Sequence, residues 1–178
     1  MSATFLAYAI KEFNRYRSLG EKAIAQLPEE GLFWQYNAES NSIAMIVQHL
    51  SGNMLSRWSD IFNTDGEKEW RNRDQEFEPV TRTRAELESA WAKGWEQLFH
   101  TLQTLSDADL ERIIHIRNEP HTVMEAIMRQ VGHYASHVGQ ILYVGKMFLN
   151  TGWTSLSIPR NGSAAFNQQM MKGDEPGR

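Results

Sequence analysis

The sequence predicts an all-α fold: a four-helix bundle with long crossover connections. Three observations lead there. Four segments of about 20 to 27 residues repeat apolar side chains at threes and fours, the recurrence of a single helix face. Only one short stretch, "RIIHIRNEPH", has the β-branched density of a strand. The second and third connections are too long for tight helical hairpins, which permits parallel neighbours in place of a simple up-down series.

The first helix runs from Thr4 to Leu27, with Phe5, Tyr8, Ala9, Phe13, Tyr16, Leu19, Ala23, Ile24 and Leu27 as its stripe and Pro28 as its stop. After the turn-rich "PEEGLFWQYNAESNS", Asn41 or Ser42 caps a second helix whose stripe is Ile43, Ile46, Val47, Leu50, Met54, Trp58 and Ile61. The charged stretch from Thr64 to Arg82 holds Gly and Pro and keeps no period, so it reads as a long crossover. Thr83-x-x-Glu86 is a capping box, opening a third helix along Leu87, Trp91, Trp95, Leu98, Leu102 and Leu105. Ser106-x-x-Asp109 marks a turn, and "RIIHIRNEPH" a short extended segment.

Thr122-x-x-Glu125 caps the fourth helix, which follows Val123, Ile127, Val131, Tyr134, Val138, Ile141, Leu142 and Phe148 to about Leu149, where "NTGW" ends it. Residues 1–150 thus make one helical domain, and residues 151–178, rich in Ser, Pro, Gly and Asn, an irregular tail. Gly132, Ser136 and Gly139 form a small-residue stripe opposite the apolar side of the fourth helix, from which we expect burial on both sides and room for a dimer contact.

Composition narrows the function. A net charge of −4 and a pI near 5.9 argue against nucleic acid or an anionic membrane surface as partner. No run approaches the roughly 18 apolar residues of a spanning helix, and no leader pattern opens the chain, so a cytoplasmic location is expected. The chain has no cysteine. Any metal must then be held by histidine, carboxylate or carbonyl, and any thiol must come from outside.

Six histidines are present, and two of them, His133 and His137 in "GHYASHVGQ", stack on one helix face. Chance alone would give about 0.2 such pairs, so the pair means little without a third ligand. His49 supplies a candidate. It lies about 60° from Ile46, at the edge of the second helix's stripe and on the same side as Asn53. His133 and His137 share their flank with Gln130 and Ile141, and Asn53, Gln130, Tyr134 and Ile141 are candidate pocket-lining residues.

Three neutral imidazoles from facing helices suit a divalent transition metal such as zinc, nickel or iron and leave positions open for water or substrate. Tyr134, not Glu, follows His133, so a His-Glu-x-x-His protease is not supported. His100, His115 and His121 lack partners of this kind. Trp70 and Phe77, aromatic residues in a charged connection, anchor that loop or else cover the bundle mouth or a neighbouring subunit.

One His within "NSIAMIVQHLSGNMLSRW" and a His-x-x-x-His within "AIMRQVGHYASHVGQILYVGKM" resemble the three metal positions of the DinB-like (YfiT-like) superfamily of four-helix-bundle proteins. The phrases "IRNEPHTV" and "LSIPR" resemble an uncharacterised subfamily of it. The resemblance spans nearly the whole chain. It implies a homodimeric bundle with a divalent metal on His49, His133 and His137, acting on a small-molecule substrate, in the manner of relatives that are transferases or isomerases using low-molecular-weight thiols. A thiol-dependent transferase acting on small electrophiles is the function expected; the alternatives are a metal-hydroxide hydrolase and a non-catalytic dimeric metal-binding or stress-response module.

Overall fold

The protein is described by a computed structural model over residues 4–172. In chain order it forms α1 (Phe5–Gln26), the five-residue α2 (Glu29–Phe33), α3 (Ile43–Trp58), α4 (Arg84–Thr104), a hairpin of β1 (Ile113–Ile116) and β2 (Glu119–Thr122), α5 (Val123–Leu149) and α6 (Ser163–Met171). It is mostly helical, with one small antiparallel two-stranded sheet.

The helices start where side chains can satisfy their first amides. Thr4 accepts from the Ala7 amide and Ser42 from the Met45 amide. Thr83 and Glu86 cap each other's backbone reciprocally, as do Thr122 and Glu125. α1 stops at an extended Leu27 because Pro28 disfavours a helical residue before it.

Each long helix lies against two others, α1 on α4 and α5, and α3 on the same pair. One aromatic residue from each of the four meets at the centre. Phe13 of α1 lies 5.7 Å from the Tyr134 ring of α5 and 6.4 Å from Trp95 of α4, and Trp95 lies 5.8 Å from Tyr134. Trp58 of α3 joins them by donating from Nε1 to Tyr134 Oη at 3.0 Å. All four side chains are fully buried. Burial of that kind is worth about 1.5–3 kcal/mol per large apolar side chain, so this cluster is a main source of cohesion.

Four local features differ from the sequence expectation. α2 falls inside the segment read as turns, because five residues are too few to display a period. Ile61 is buried but lies beyond the end of α3, which closes at Trp58. The extended segment is a hairpin in which Ile113 pairs with Thr122 and Ile116 with Glu119, and its turn residues Arg117 and Asn118 both take positive φ, 55° and 62°. The tail, read as irregular, contains α6, which is largely exposed; its residues 173–178 lie outside the described residues.

A fifth difference concerns α5. Gly132, Ser136 and Gly139 are exposed, and a Cβ built on either glycine would meet no atom within 4 Å. The two-sided burial expected for this helix is therefore absent within one chain; only the Tyr134, Val138 and Ile141 side is covered. Among the described residues, no helix is long and apolar enough to cross a membrane.

At Gly94 the lack of a side chain lets α4 meet the backbone of α3: an added Cβ would stand 3.0 Å from Ser51 Cα and 3.1 Å from Met54 Sδ. Backbone cannot yield there as a flexible side chain can. Gly94→Val is expected to separate α3 from α4 and to lower stability by about 1–3 kcal/mol, read from the urea midpoint at unchanged slope.

Candidate metal centre

His49, His133 and His137 come together where α3 meets α5. The Nε2 of His133 is 3.3 Å from the Nε2 of His49 and 3.1 Å from that of His137. The three ligand nitrogens all fall within 4.8 Å of one another, so the three histidines could hold a metal ion. His49 is buried at 4% exposure, whereas His133 and His137 are half-buried and give the centre an open side.

Each ring's other nitrogen has an oxygen partner. His49 Nδ1 lies 2.8 Å from Glu76 Oε2, His133 Nδ1 3.1 Å from Gln130 Oε1, and His137 Nδ1 2.7 Å from Gln140 Oε1. Donation from Nδ1 to these oxygens leaves a lone pair on every Nε2. The lone pair of His133 Nε2 then meets those of His137 and His49 across 3.1 and 3.3 Å, and such pairs repel unless a cation lies between them. Two nitrogens at about 2.05 Å from a tetrahedral ion are about 3.3 Å apart, so the donor set fits such an ion.

Protonation agrees with that fit. Burial, together with His137, His49 and the guanidinium groups of Arg57 and Arg71, pushes His133 down to about 3. Burial and His49 also lower His137, against the opposing bond to Gln140. Both rings are therefore neutral near pH 7, as ligation requires.

The candidate lining residues divide. Gln130 is buried and serves as the partner of His133. Asn53, also buried, accepts at Oδ1 from Tyr134 Oη at 3.0 Å, so Trp58, Tyr134 and Asn53 form a hydrogen-bonded chain inside the core. Tyr134 and Ile141 are fully buried core residues. His100 and His115 are exposed, and half-buried His121 lies on β2 opposite Ile114.

The residues that periodicity did not disclose come from the crossover. Glu76 is buried against His49, and Arg71 binds both its oxygens, Nε to Oε1 at 2.7 Å and Nη2 to Oε2 at 2.9 Å. Burial pushes the Glu76 carboxyl up, but the bonds from His49 and Arg71 prevail and hold it below its ordinary value. Phe77 stacks on His49 with centroids 5.0 Å apart. Of the two aromatic residues flagged in this connection, Phe77 thus covers the centre, while Trp70 is exposed. Arg57 is buried nearby, and its Nε and Nη1 have no partner among the described residues.

A family model described as "Protein of unknown function (DUF1572)" matches residues 1–162. The chain belongs to this family. No curated protein matches it. Among solved structures it is similar to the "conserved protein of locus from Enterococcus faecalis", at 15% identity and a TM-score of 0.64, over 82% of this chain and 97% of that one. That likeness shows a shared fold.

The lowered value of His133 has a consequence for stability. Unfolded, the ring titrates near 6.5; folded, near 3. Between those values the unfolded chain binds the extra proton, so stability rises with pH across this window and is complete above it. In chelator-treated protein the urea midpoint is expected to fall as pH drops below about 6.5, and less steeply in His133→Gln, whose side chain does not titrate.

Proposed function

We propose that this protein is a metal-dependent enzyme of the DinB-like type, built as a four-helix bundle, in which His49, His133 and His137 hold a divalent transition metal such as zinc, nickel or iron. The observation that carries this reading is the orientation of all three rings: every Nδ1 faces an oxygen acceptor and every Nε2 faces the common centre. Outer partners of this kind fix tautomer and ring direction in metal sites. Three protein ligands leave open positions, the arrangement of catalytic as opposed to structural sites, and half-buried His133 and His137 give access to them.

When bound there, a divalent cation keeps its full charge, because its ligands are neutral, and lowers the pKa of a thiol or water in an open position. We favour a low-molecular-weight thiol transferred to a small electrophile. The chain has no cysteine to supply the sulfur. Glu76, which touches His49, has both oxygens occupied. Hydrolysis, with water in place of the thiol, is the second reading; a non-catalytic metal-binding module is the third. Small molecules, not nucleic acid or membrane, are the partners, and the cytoplasm is the location this chemistry suits.

We further propose a homodimer formed through the exposed flank of α5. Met128, Gly132, Ser136, Gly139 and Tyr143 lie within about 80° of one another around that helix and leave an apolar, low-relief strip in solvent. Sedimentation at micromolar concentration is expected to give a dimer for the wild type and a monomer for Gly139→Arg; a wild-type monomer would remove this proposal.

Replacement of His49, His133 or His137 by Ala is expected to weaken zinc binding by at least tenfold each, with helical content retained, because apolar burial elsewhere holds the fold; His100→Ala should bind as wild type. Zinc-loaded wild type should bind a small thiol with release of a proton near neutral pH, measured by calorimetry in two buffers of different ionisation enthalpy. Zinc binding without thiol-linked proton release would leave hydrolysis or the non-catalytic module.

A further inference from the structure

The crossover between α3 and α4 does more than connect them. Its single turn of 3-10 helix, Asp74–Phe77, grips the His49 ring from two directions, Glu76 at the Nδ1 edge and Phe77 across the face. Gln48, the preceding residue on α3, holds the same turn in place: its amide nitrogen donates to Gln75 O at 2.7 Å and Glu78 O at 3.3 Å, and its oxygen accepts from Thr81 N at 3.2 Å. Gly52 leaves room for the carboxylate, since a Cβ there would collide with Glu76 Oε1.

The far end of the connection is fastened separately. Asp65 accepts from the amides of Arg117 and Asn118, both at 2.8 Å, and Gly66 N donates to His115 O at 2.8 Å. Arg71 then spans from Glu67 to Glu76 with its side chain 2% exposed. A connection fixed to the hairpin at one end thus ends in a buried carboxylate at the only histidine that α3 contributes to the centre.

We propose that Glu76 is a positioning residue that, held by Arg71, keeps His49 protonated on Nδ1 with Nε2 free for ligation, and that docking of the Asp74–Phe77 turn and metal binding strengthen one another. This rests on the metal reading above. A carboxylate bound by His49 Nδ1–H raises the basicity of the opposite nitrogen and restricts ring rotation. Linkage makes the effect reciprocal: if the docked turn tightens metal binding, metal must by the same factor favour the docked turn. The two glutamines behind His133 and His137 carry no charge, so His49 is the one ligand whose partner is anionic.

The test uses the full chain, with zinc as probe. Glu76→Ala is expected to weaken zinc binding about 10- to 100-fold in chelator competition, and Glu76→Gln, which keeps the size but loses the charge, by about tenfold. In the metal-free protein, nitrogen NMR of the imidazoles should show His49 protonated on Nδ1 in wild type and distributed over both nitrogens in Glu76→Ala. Zinc should slow tryptic cleavage after exposed Arg73 several-fold in wild type and not in Glu76→Ala.

Zinc affinity within twofold of wild type in both variants would overturn the proposal, as would a wild-type His49 protonated on Nε2. Absence of zinc binding in wild type would overturn the metal reading and the coupling together. The tautomer is read without metal, so it separates a failed positioning role from a failed metal site. Should Glu76→Ala not fold, the isosteric Glu76→Gln decides the same question.

Discussion

The buried hydrogen bond from Tyr134 to Asn53 fixes α3 against α5, and the convergence of the three histidines depends on that register. Tyr134 adjoins His133, and Asn53 lies one turn from His49. The phenol is itself oriented by Trp58 Nε1 and packed between Phe13 and Trp95, so contacts from all four long helices determine how far apart the two sides of the centre stand. Burial pushes the Tyr134 phenol above its ordinary range, which keeps it a neutral donor. In a close-packed interior of this kind a displaced ring would shift its neighbours, so the hydrophobic core and the histidine geometry are one construction.

Around this register, charge is arranged in layers. The innermost layer is the three imidazoles, with His133 and His137 held neutral by burial. Behind it stand one carboxylate and two amide oxygens. Behind the carboxylate come Arg71, Glu67 and Arg57, an alternating series that carries the Glu76 charge out to the connection and the hairpin. A buried carboxylate without such partners would strongly favour its protonated form. A connection that looks like a spacer in the sequence therefore forms the electrostatic support of the centre, with Arg117 of the hairpin behind it.

The four long helices and the clustering of the three histidines were legible in the sequence because both express the 3.6-residue period. The caps at Ser42, Thr83 and Thr122 sit where side-chain chemistry put them, and His133 and His137 share a face by spacing alone. His49 needed a helical wheel and a family resemblance. Glu76 and Arg71 could not be found this way: they lie in an aperiodic charged stretch, where a buried carboxylate and a solvated one look alike. The hairpin was read only as an extended segment, because its turn relies on Arg117 and Asn118 at positive φ and not on glycine. The exposed side of α5 was misjudged because small residues suit close packing and open surface equally, and one chain's sequence does not say which is used.

Ligation of a metal by His49, His133 and His137 is read in the zinc K-edge absorption spectrum of the zinc-loaded protein. The spectrum expected is three nitrogen scatterers at about 2.0 to 2.1 Å with the outer-shell pattern of imidazole, completed by a light atom in the open position. A spectrum of oxygen ligands alone, or one unchanged by His49→Ala, would contradict the account.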